Sequence, residues 1–410
     1  MNLGLRPIVN TTFWWACPRE LLTSPTFRAY TSPTHSRAAR KIINIKSNFR
    51  LCMPVRSPKH NTRRSHLAIV RPGFESILKD ELKERFNLAA TLECRAAVAV
   101  LETLKLPPIN QTVFVRQYLH RALRFVSSDN EPSLVFLTER IDVMVGRSNW
   151  QSGNWTIHSF AVDDDAGLAR ARDFSKKLMS YIREKHPNLF KRYISKDEFA
   201  DTTRDPQDFA LQIYCPAADD LWFSISRISD GISPHEAGFK PMRTIQGAPS
   251  RSASKLEEAL AFMGRHPKPG QTAVDLGAAP GGWSLVLARH GADVKAIDHG
   301  ELKLDPKIKL KGSIEHIKAN GLKYMPEEAV DWLVCDMVMG AKETLDVLNK
   351  WIAAKAMRQF VVNIKLPKNV AWSDCAGAIE LSRIIDLYDM SVRHLLHDRS
   401  EITIMGFYIF

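Results

Sequence analysis

Short apolar runs alternate with helical repeats of apolar residues from residue 250 to the end of the chain. The runs predict strands at 273–277, 294–297, 314–318, 332–335, 360–364, 392–396 and 402–409. The repeats predict helices around 255–262, from Trp283 onward, at 345–357 and at 376–387. Strands that alternate with helices predict an α/β fold with a doubly wound, mainly parallel sheet. The last two strands, which are tightly linked, predict an antiparallel edge strand.

Residues 65–228 show a different order of elements. The pattern predicts strands at 66–70, 96–101, 113–118, 123–126, 155–160, 209–215 and 221–228, and helices at 74–86 and 168–182. This order predicts an α+β or α/β accessory unit of small sheets with helices. Residues 229–249 are polar and rich in Gly and Pro, which is typical of a linker or an ordered loop before a second domain at 250–410.

A glycine-rich turn, residues 277–282, joins the first strand of the second domain to its helix. Its glycines remove side chains where backbone must approach a ligand. Asp298 ends the next strand, where a carboxylate can bind both hydroxyls of a ribose. The turn lacks the spacing of the dinucleotide and triphosphate motifs, and Pro280 has no N–H for a phosphate. A ligand with a ribose and no phosphate fits better, and S-adenosylmethionine is such a ligand.

The positive charge of the chain is concentrated at its N-terminus. The chain has 57 Lys or Arg residues, 45 Asp or Glu residues and a net charge of +12. Residues 1–64 hold twelve of the basic residues and one acid, Glu20, so the remainder is nearly neutral. An Arg-rich, Ser-rich, acid-poor segment predicts a disordered leader and is typical of an organellar transit peptide. The alternative interpretation is that translation begins near Met53.

Basic side chains in the accessory unit are candidates for contact with a nucleic-acid backbone, where they would fix register rather than read sequence. They are Arg116, His120, Arg121 and Arg124 in the first half, and Arg170, Arg172, Lys176 and Lys177 in the helix at 168–182. An ordinary solvated face explains them equally well.

The six cysteines show no metal-ligand spacing, which predicts a reduced compartment and no structural metal. No apolar stretch is long enough to span a membrane, so we expect a soluble protein.

Four charged residues are predicted near the proposed pocket. Lys255 lies in the entering helix, Asp336 and Lys365 each follow a strand, and Glu401 lies between the final strands. Asp336 and Lys365 should share a rim with the glycine turn, because carboxyl ends of parallel strands form the ligand crevice. A hydroxyl attacking a methyl donor needs a base and a positioner, and a lysine base requires its pKa to fall by about 3 units. Desolvation and a second ammonium lower that pKa, whereas carboxylates raise it.

These residues resemble the Lys-Asp-Lys-Glu tetrad of the FtsJ-like ribose 2′-O-methyltransferases, in the segments SRSASKLEEA, DWLVCDM, NIKLP and HDRSEITI. Within that superfamily the chain most resembles the RlmM family of bacterial 23S rRNA ribose methyltransferases. The resemblance runs from RPGFES at residue 71 through SPHEAGFKPM and AVDLGAAPGGW to LLHDRSEIT, and spans about residues 66–410. It is weaker in the first domain than in the second.

The resemblance implies a THUMP-containing RNA-binding region at 65–228 and a Rossmann-like methyltransferase domain at 250–410. It implies S-adenosylmethionine-dependent 2′-O-methylation of a cytidine ribose in 23S rRNA before ribosome assembly is complete, with Lys365 as proton acceptor. By matching positions, the residues that would hold the methyl donor are Ser252, Gly277, Ala279, Pro280, Gly281, Gly282, Asp298, Asn320 and Asp336. Asn320 stands where the family usually carries aspartate, which predicts weaker donor binding.

The resemblance also favours a start near Met53, because family members are bacterial cytoplasmic enzymes. We expect a monomeric, cytoplasmic enzyme with RNA as partner and no metal; a true transit peptide would make it organellar. Two rival functions stay open. One is the same chemistry on transfer RNA or an mRNA cap, because the accessory unit chooses the substrate. The other is a non-catalytic RNA-binding assembly factor, against which the intact tetrad argues.

Overall fold

The computed structural model describes residues 65–409. Short gaps fall at 94–96, 104, 127–130, 148–151, 163, 203–204, 241, 243–244 and 246. The predicted disordered leader at 1–64 lies outside the described residues.

Two four-stranded sheets form the accessory unit within the described residues. The first has the antiparallel order β2-β3-β1-β4 and contains β1 (Ser65–Ile69), β2 (Ala90–Glu93), β3 (Val98–Glu102) and β4 (Gln117–Leu119). The second has the order β5-β8-β7-β6 and contains β5 (Leu123–Val126), β6 (Trp155–Phe160), β7 (Phe209–Ala217) and β8 (Asp220–Arg227). The helices of this unit are α1 (Glu75–Phe86), α2 (Glu131–Val145), α3 (Asp165–Lys185), α4 (Pro187–Phe190) and α5 (Lys196–Thr202).

The predicted elements of this unit are present except at 113–116, which is not a strand. There, the N–H groups of Val113 and Phe114 donate to the carboxylate of Glu81 instead of to a neighbouring strand. The sequence pattern does not predict β2, α4 and α5, which are too short to show a clear period. It also misses α2, in which three exposed apolar residues obscure the helical repeat: Val135, Phe136 and Val143.

Helix α3 packs one apolar face on the second sheet. Phe174, Leu178 and Ile182 recur at helical spacing and are fully buried there. Arg170 lies on the buried side, so its predicted place on a basic solvent-facing surface is wrong: it is 7% exposed and donates to the carbonyl of Ala218. The exposed cations of the helix are Arg172, Lys176, Lys177, Arg183 and Lys185.

One seven-stranded sheet, in the order β11-β10-β9-β12-β13-β15-β14, organises the residues after 250. Its strands are β9 (Thr272–Leu276), β10 (Asp293–Ile297), β11 (Ile314–Ile317), β12 (Val330–Cys335), β13 (Met357–Lys365), β14 (Tyr388–Arg393) and β15 (Glu401–Tyr408). The helices are α6 (Ala253–Met263), α7 (Gly282–His290), α8 (Ala341–Ala353) and α9 (Trp372–Ile384). Neighbours among β9 to β13 run parallel, as predicted for a doubly wound α/β domain.

The closing strands β14 and β15 form an antiparallel pair at one edge of the sheet, as predicted, and β14 is the edge strand. The inner strand of the pair is β15. It is inserted between β13 and β14 and runs antiparallel to both. Its first six residues are buried, whereas β14 is only partly buried, so the more apolar strand takes the interior position. This insertion places Glu401 directly opposite Lys365 in the register of the sheet.

The accessory unit contacts the last strands of this sheet. Arg393 at the end of β14 donates to two carbonyls of the accessory unit, those of Ile109 and Val115, at 2.6 and 2.9 Å. The next residue, His394, donates its backbone N–H to Val113 and lies against the ring of Phe74, with ring centroids 4.2 Å apart. The segment between β14 and β15 is therefore held by the accessory unit.

Candidate active site

The carboxyl ends of β9, β10, β12 and β13 bring the predicted site residues to one rim. The glycine turn follows β9, Asp298 follows β10, Asp336 follows β12, and Lys365 ends β13. A cavity of about 390 Å³ lies at this rim. The predicted residues among its lining are Gly277, Ala279, Asp298, Asn320 and Asp336.

The four charged residues form one closed cluster. Lys365 Nζ contacts both Asp336 Oδ1 and Glu401 Oε2. Lys255 Nζ contacts Glu401 Oε1 and lies 3.6 Å from Asp336 Oδ2. Each carboxylate therefore interacts with both lysines, and the side chain of Glu401 is only 5% exposed. This arrangement fixes the two amines beside the cavity.

The charges of the cluster set the protonation of Lys365. Burial favours its neutral amine, but contact with Asp336 and Glu401 outweighs burial and raises the pKa of Lys365 above its ordinary value. Burial also opposes ionisation of Glu401, yet the two lysines hold the pKa of Glu401 below its ordinary value. The lowered pKa that a lysine base requires is therefore not found here, and Lys365 is an ammonium group at neutral pH.

A second layer of polar groups supports Asp336. Asn363 Nδ2 donates to Asp336 Oδ1 at 3.1 Å, and Asn363 Oδ1 accepts from Thr403 Oγ1 at 2.8 Å. Asn363 is not among the site residues predicted from the sequence, although its position gives a signal. It interrupts the apolar run at 360–364 two residues before Lys365, and so shares the face of the sheet with Lys365.

Asp298 is held by the loops that surround the cavity. Its carboxylate accepts the backbone N–H of Ala279 at 3.0 Å and that of Gly300 at 2.8 Å. Asn320 uses its side-chain oxygen to accept from the N–H of Leu322 at 2.9 Å, so this oxygen already has one partner. Both side chains remain in the cavity lining, with lone pairs left for a ligand.

Four predicted donor-binding residues do not line this cavity: Ser252, Pro280, Gly281 and Gly282. Gly282 instead packs against Ser250 and Ser252, whose hydroxyls lie 2.7 Å apart, and a side chain at Gly282 would collide with Ser250. The contact of Gly282 with the two serines therefore supports the glycine turn from outside the cavity lining. The sequence-based prediction does not include the apolar part of the lining, whose larger members are Ile297, Leu322, Met337, Val338 and Met339.

Asp275 lies behind the glycine turn and is 1% exposed. It accepts a hydrogen bond from Ser284 Oγ at 2.6 Å. Burial raises the pKa of Asp275 to about 7, against the hydrogen bond from Ser284 that lowers it. The charge of this carboxyl thus changes near neutral pH, directly beneath the pocket.

The segment that leads to Glu401 is held from two sides. Glu258, one helical turn after Lys255 in α6, accepts the backbone N–H groups of Leu396 and His397 at 2.7 and 2.9 Å. Arg71, which follows β1 of the accessory unit, donates to the carbonyl of Asp398. The helix that carries Lys255 and the accessory unit thus both position the chain before Glu401.

Within the described part of the chain, one group of metal-type ligands comes together. Glu257 in α6, His266 after α6 and His290 at the end of α7 each place a ligand atom within 4.8 Å of the others. His290 Nε2 lies 3.3 Å from both carboxylate oxygens of Glu257. None of them is a predicted site residue, and the expectation of no metal stays a prediction.

Among the helices that the structure describes, none is long and apolar enough to cross a membrane.

The amino-acid sequence places this site in a known family. The chain is 35% identical over 361 residues to the protein named Ribosomal RNA large subunit methyltransferase M of Azoarcus sp. (strain BH72), which covers 82% of this chain and 94% of that protein. The chain belongs to the ribosomal RNA large subunit methyltransferase M family. The member from Laribacter hongkongensis is 36% identical over 248 residues, covering 56% of this chain and 66% of its own length.

Other members align over 52% of their length, so these shorter matches leave part of each relative uncovered. Among solved structures, TrmN from Thermus thermophilus matches with a TM-score of 0.32 and 12% identity, covering 84% of this chain and 99% of that one.

The family model for FtsJ-like methyltransferases matches residues 248–373. This range contains Lys255, the glycine turn, Asp336 and Lys365, and it ends before Glu401. The second domain of this member of the M family is thus a Rossmann-like methyltransferase fold with a mixed, mostly parallel sheet. The place of Glu401 in the cluster rests on its contacts with the two lysines.

Proposed function

We propose that this protein transfers a methyl group from S-adenosylmethionine to the 2′-oxygen of a ribose, that of a cytidine in 23S rRNA before ribosome assembly is complete. The observation that carries the proposal is the closed cluster of Lys255, Asp336, Lys365 and Glu401 beside the cavity. A pure binding protein has no need for two partly buried lysines bridged by two carboxylates, because desolvating such charges is costly. Membership of the M family supports the ribosomal RNA of the large subunit as substrate.

The cavity suits S-adenosylmethionine. Its volume of about 390 Å³ falls in the range of small-molecule sites. Asp298 offers carboxylate lone pairs for ribose hydroxyls, and Met337 and Leu322 offer apolar surface for an adenine. A side chain at Gly277 would collide with Met337, so only glycine lets the turn lie directly against the lining. The bound donor would supply an electrophilic methyl group next to Asp336.

Lys365 would position the ribose hydroxyl. Its two ion pairs use two of its three N–H donors, so the third can donate to the 2′-oxygen. The hydroxyl proton must leave as the new O–C bond forms. Because the ammonium form of Lys365 dominates, Lys365 accepts this proton only in the minor fraction of molecules in which the amine has first become neutral.

The accessory unit at 65–228 would hold the RNA, as a THUMP-containing region does in the family that the sequence resembles. We include in the proposal a monomeric, cytoplasmic enzyme. Residues 1–64, if they act as a transit peptide, would place it in an organelle instead.

Substitution of Lys365 tests the chemistry. The Lys365→Ala variant should bind S-adenosylmethionine as the wild type does in calorimetry and should lose transfer of a radiolabelled methyl group to ribosomal RNA. Full turnover by this variant would refute the catalytic assignment.

Mapping of ribose methylation in total RNA from cells without the protein tests the substrate. One lost mark in 23S rRNA is expected, a lost mark in another RNA would redirect the substrate, and no lost mark would favour an assembly factor.

A further inference from the structure

A second cavity, in the accessory unit, collects positive charge. It has a volume of about 570 Å³, and its lining includes Lys105, Arg121, Arg147 and Arg227. Asp230 is the one acid among its described lining residues, and its carboxylate accepts the backbone N–H of Arg227. The excess of cations is notable because the chain beyond residue 64 is nearly neutral overall. We call this site the basic cavity.

The exposed cations of the basic cavity are available to bind a ligand. Lys105, Arg121 and Arg147 are exposed. None of the three forms an ion pair with another residue of the part of the chain that the structure describes. Arg124, which sequence analysis groups with Arg121, behaves differently. It pairs with Asp220 at 2.8 Å and covers the ring of Trp222, so its charge is neutralised within the unit.

Two histidines add polar atoms to the wall of the cavity. The rings of His66 and His120 meet edge to face, 5.2 Å apart. Nε2 of His120 is buried and makes no hydrogen bond within the described residues. Such an atom is costly to bury alone and would gain from a ligand oxygen or an intervening water.

We propose that the basic cavity binds the phosphate backbone of the RNA substrate, at a point separate from the catalytic site. This inference rests on the proposed function, because it takes RNA as the substrate. The described lining contains no Phe, Tyr or Trp on which a base could stack. The cavity therefore suits phosphates rather than bases, and it would hold the RNA in register without reading its sequence.

The position of the basic cavity favours a polymer over a small anion. His66 lies near the start of β1, and Arg71 lies just beyond its end, where it contacts the segment before Glu401. Five residues of extended strand span about 17 Å. A ligand that reaches from the basic cavity towards the tetrad must therefore be longer than a mononucleotide, and an RNA strand is long enough to reach both places.

The test is the salt dependence of RNA binding. The double variant Arg121→Ala/Arg147→Ala removes two exposed cations from the cavity, and Lys79→Ala/Lys191→Ala removes two exposed cations elsewhere in the accessory unit. Each lost phosphate contact lowers the slope of log affinity against log salt by about 0.7 to 0.9, so the cavity variant should lower it by about 1.4 to 1.8. Circular dichroism checks that both variants fold.

The expected result is a reduced slope and a raised KM for a 23S rRNA transcript in the cavity variant, with unchanged S-adenosylmethionine binding and an unchanged kcat at saturating RNA. The control variant should match the wild type. An unchanged slope in the cavity variant, or the same loss in the control variant, would overturn the inference. Because binding is measured without turnover, a wild-type protein that binds RNA in this way but never methylates it would refute the proposed function and leave the basic cavity standing.

Discussion

The guanidinium of Arg71 donates to the backbone carbonyl of Asp398, across 327 residues of sequence. The same group lies 3.4 Å from the carbonyl of Leu396. Asp398 precedes Glu401 by three residues, and Glu401 contacts both lysines of the tetrad. A residue of the accessory unit is therefore connected to the cluster of Lys255, Asp336, Lys365 and Glu401 through one short segment of backbone.

This connection predicts that Arg71→Ala lowers the rate of methyl transfer by displacing Glu401, and not by weakening the binding of the substrate. Loss of the guanidinium should let the segment before Glu401 shift, and small displacements of catalytic groups lower rates by about 10- to 100-fold. We expect kcat to fall by that factor while KM for RNA and the affinity for S-adenosylmethionine stay close to wild type. Steady-state kinetics with a 23S rRNA transcript measure all three quantities.

The controls separate positioning from stability. Arg71→Lys keeps the charge and one donor, so it should recover part of kcat, whereas Lys79→Ala on the exposed side of α1 should have no effect. A change of KM alone in Arg71→Ala would contradict the positioning role. Equal kcat in Arg71→Ala and the wild type would also contradict it.

Glu401 should control the pH dependence of methyl transfer. Burial lowers the pKa of Lys365, and Asp336 with Glu401 raises it further than burial lowers it. Glu401→Gln removes one of the raising charges, so the neutral amine should appear at lower pH. The rising limb of kcat against pH should move to lower pH in Glu401→Gln, although the maximal rate should fall because both lysines lose a partner. Glu380→Gln on the surface of α9 serves as the matched control, and coincident limbs in all three proteins would argue against a lysine base.

Much of this site could be predicted from local pattern. The glycine turn, Asp298, Asp336 and Lys365 lie at the ends of strands, and the carboxyl ends of parallel strands meet at one rim. The contacts of Glu401 could not be predicted in this way. They depend on the insertion of β15 between β13 and β14, and local periodicity does not give the register between strands that are distant in sequence.

The protonation state of Lys365 is a second property of the site that could not be predicted from the sequence. The residue types around it contain both raising and lowering influences, and only distances decide between them. Two carboxylates in direct contact outweigh burial, a result that requires coordinates. Arg170 is a different case. It lies four residues before Phe174, in line with the buried residues Leu178 and Ile182, so the helical repeat already indicates its buried position.

Gly277→Ala should weaken methyl donor binding. Gly277 has φ +77°, and a Cβ there would collide with Met337 in the cavity lining. We expect at least a tenfold loss of S-adenosylmethionine affinity in calorimetry, with a loss of about 1 to 2 kcal/mol in the free energy of unfolding from the unfavourable φ. Gly264→Ala shares the positive φ, +63°, but has open space around its Cβ, so it should lose similar stability and keep donor affinity. Equal donor affinities in the two variants would show that the collision is relieved.

Asp275 should make the stability of the protein depend on pH near neutrality. Burial raises the pKa of this carboxyl to about 7 in the folded state, above its value of 3.8 in an unfolded chain. Its contribution to stability is therefore fully present below pH 3.8 and is lost as the pH rises through 7. Relative to Asp275→Asn, the wild type should lose about 2 kcal/mol of unfolding free energy between pH 5.5 and 8.5. Urea unfolding of both proteins at these two pH values measures the difference, and because all other groups are shared, parallel pH dependences would mean that Asp275 does not titrate in this window.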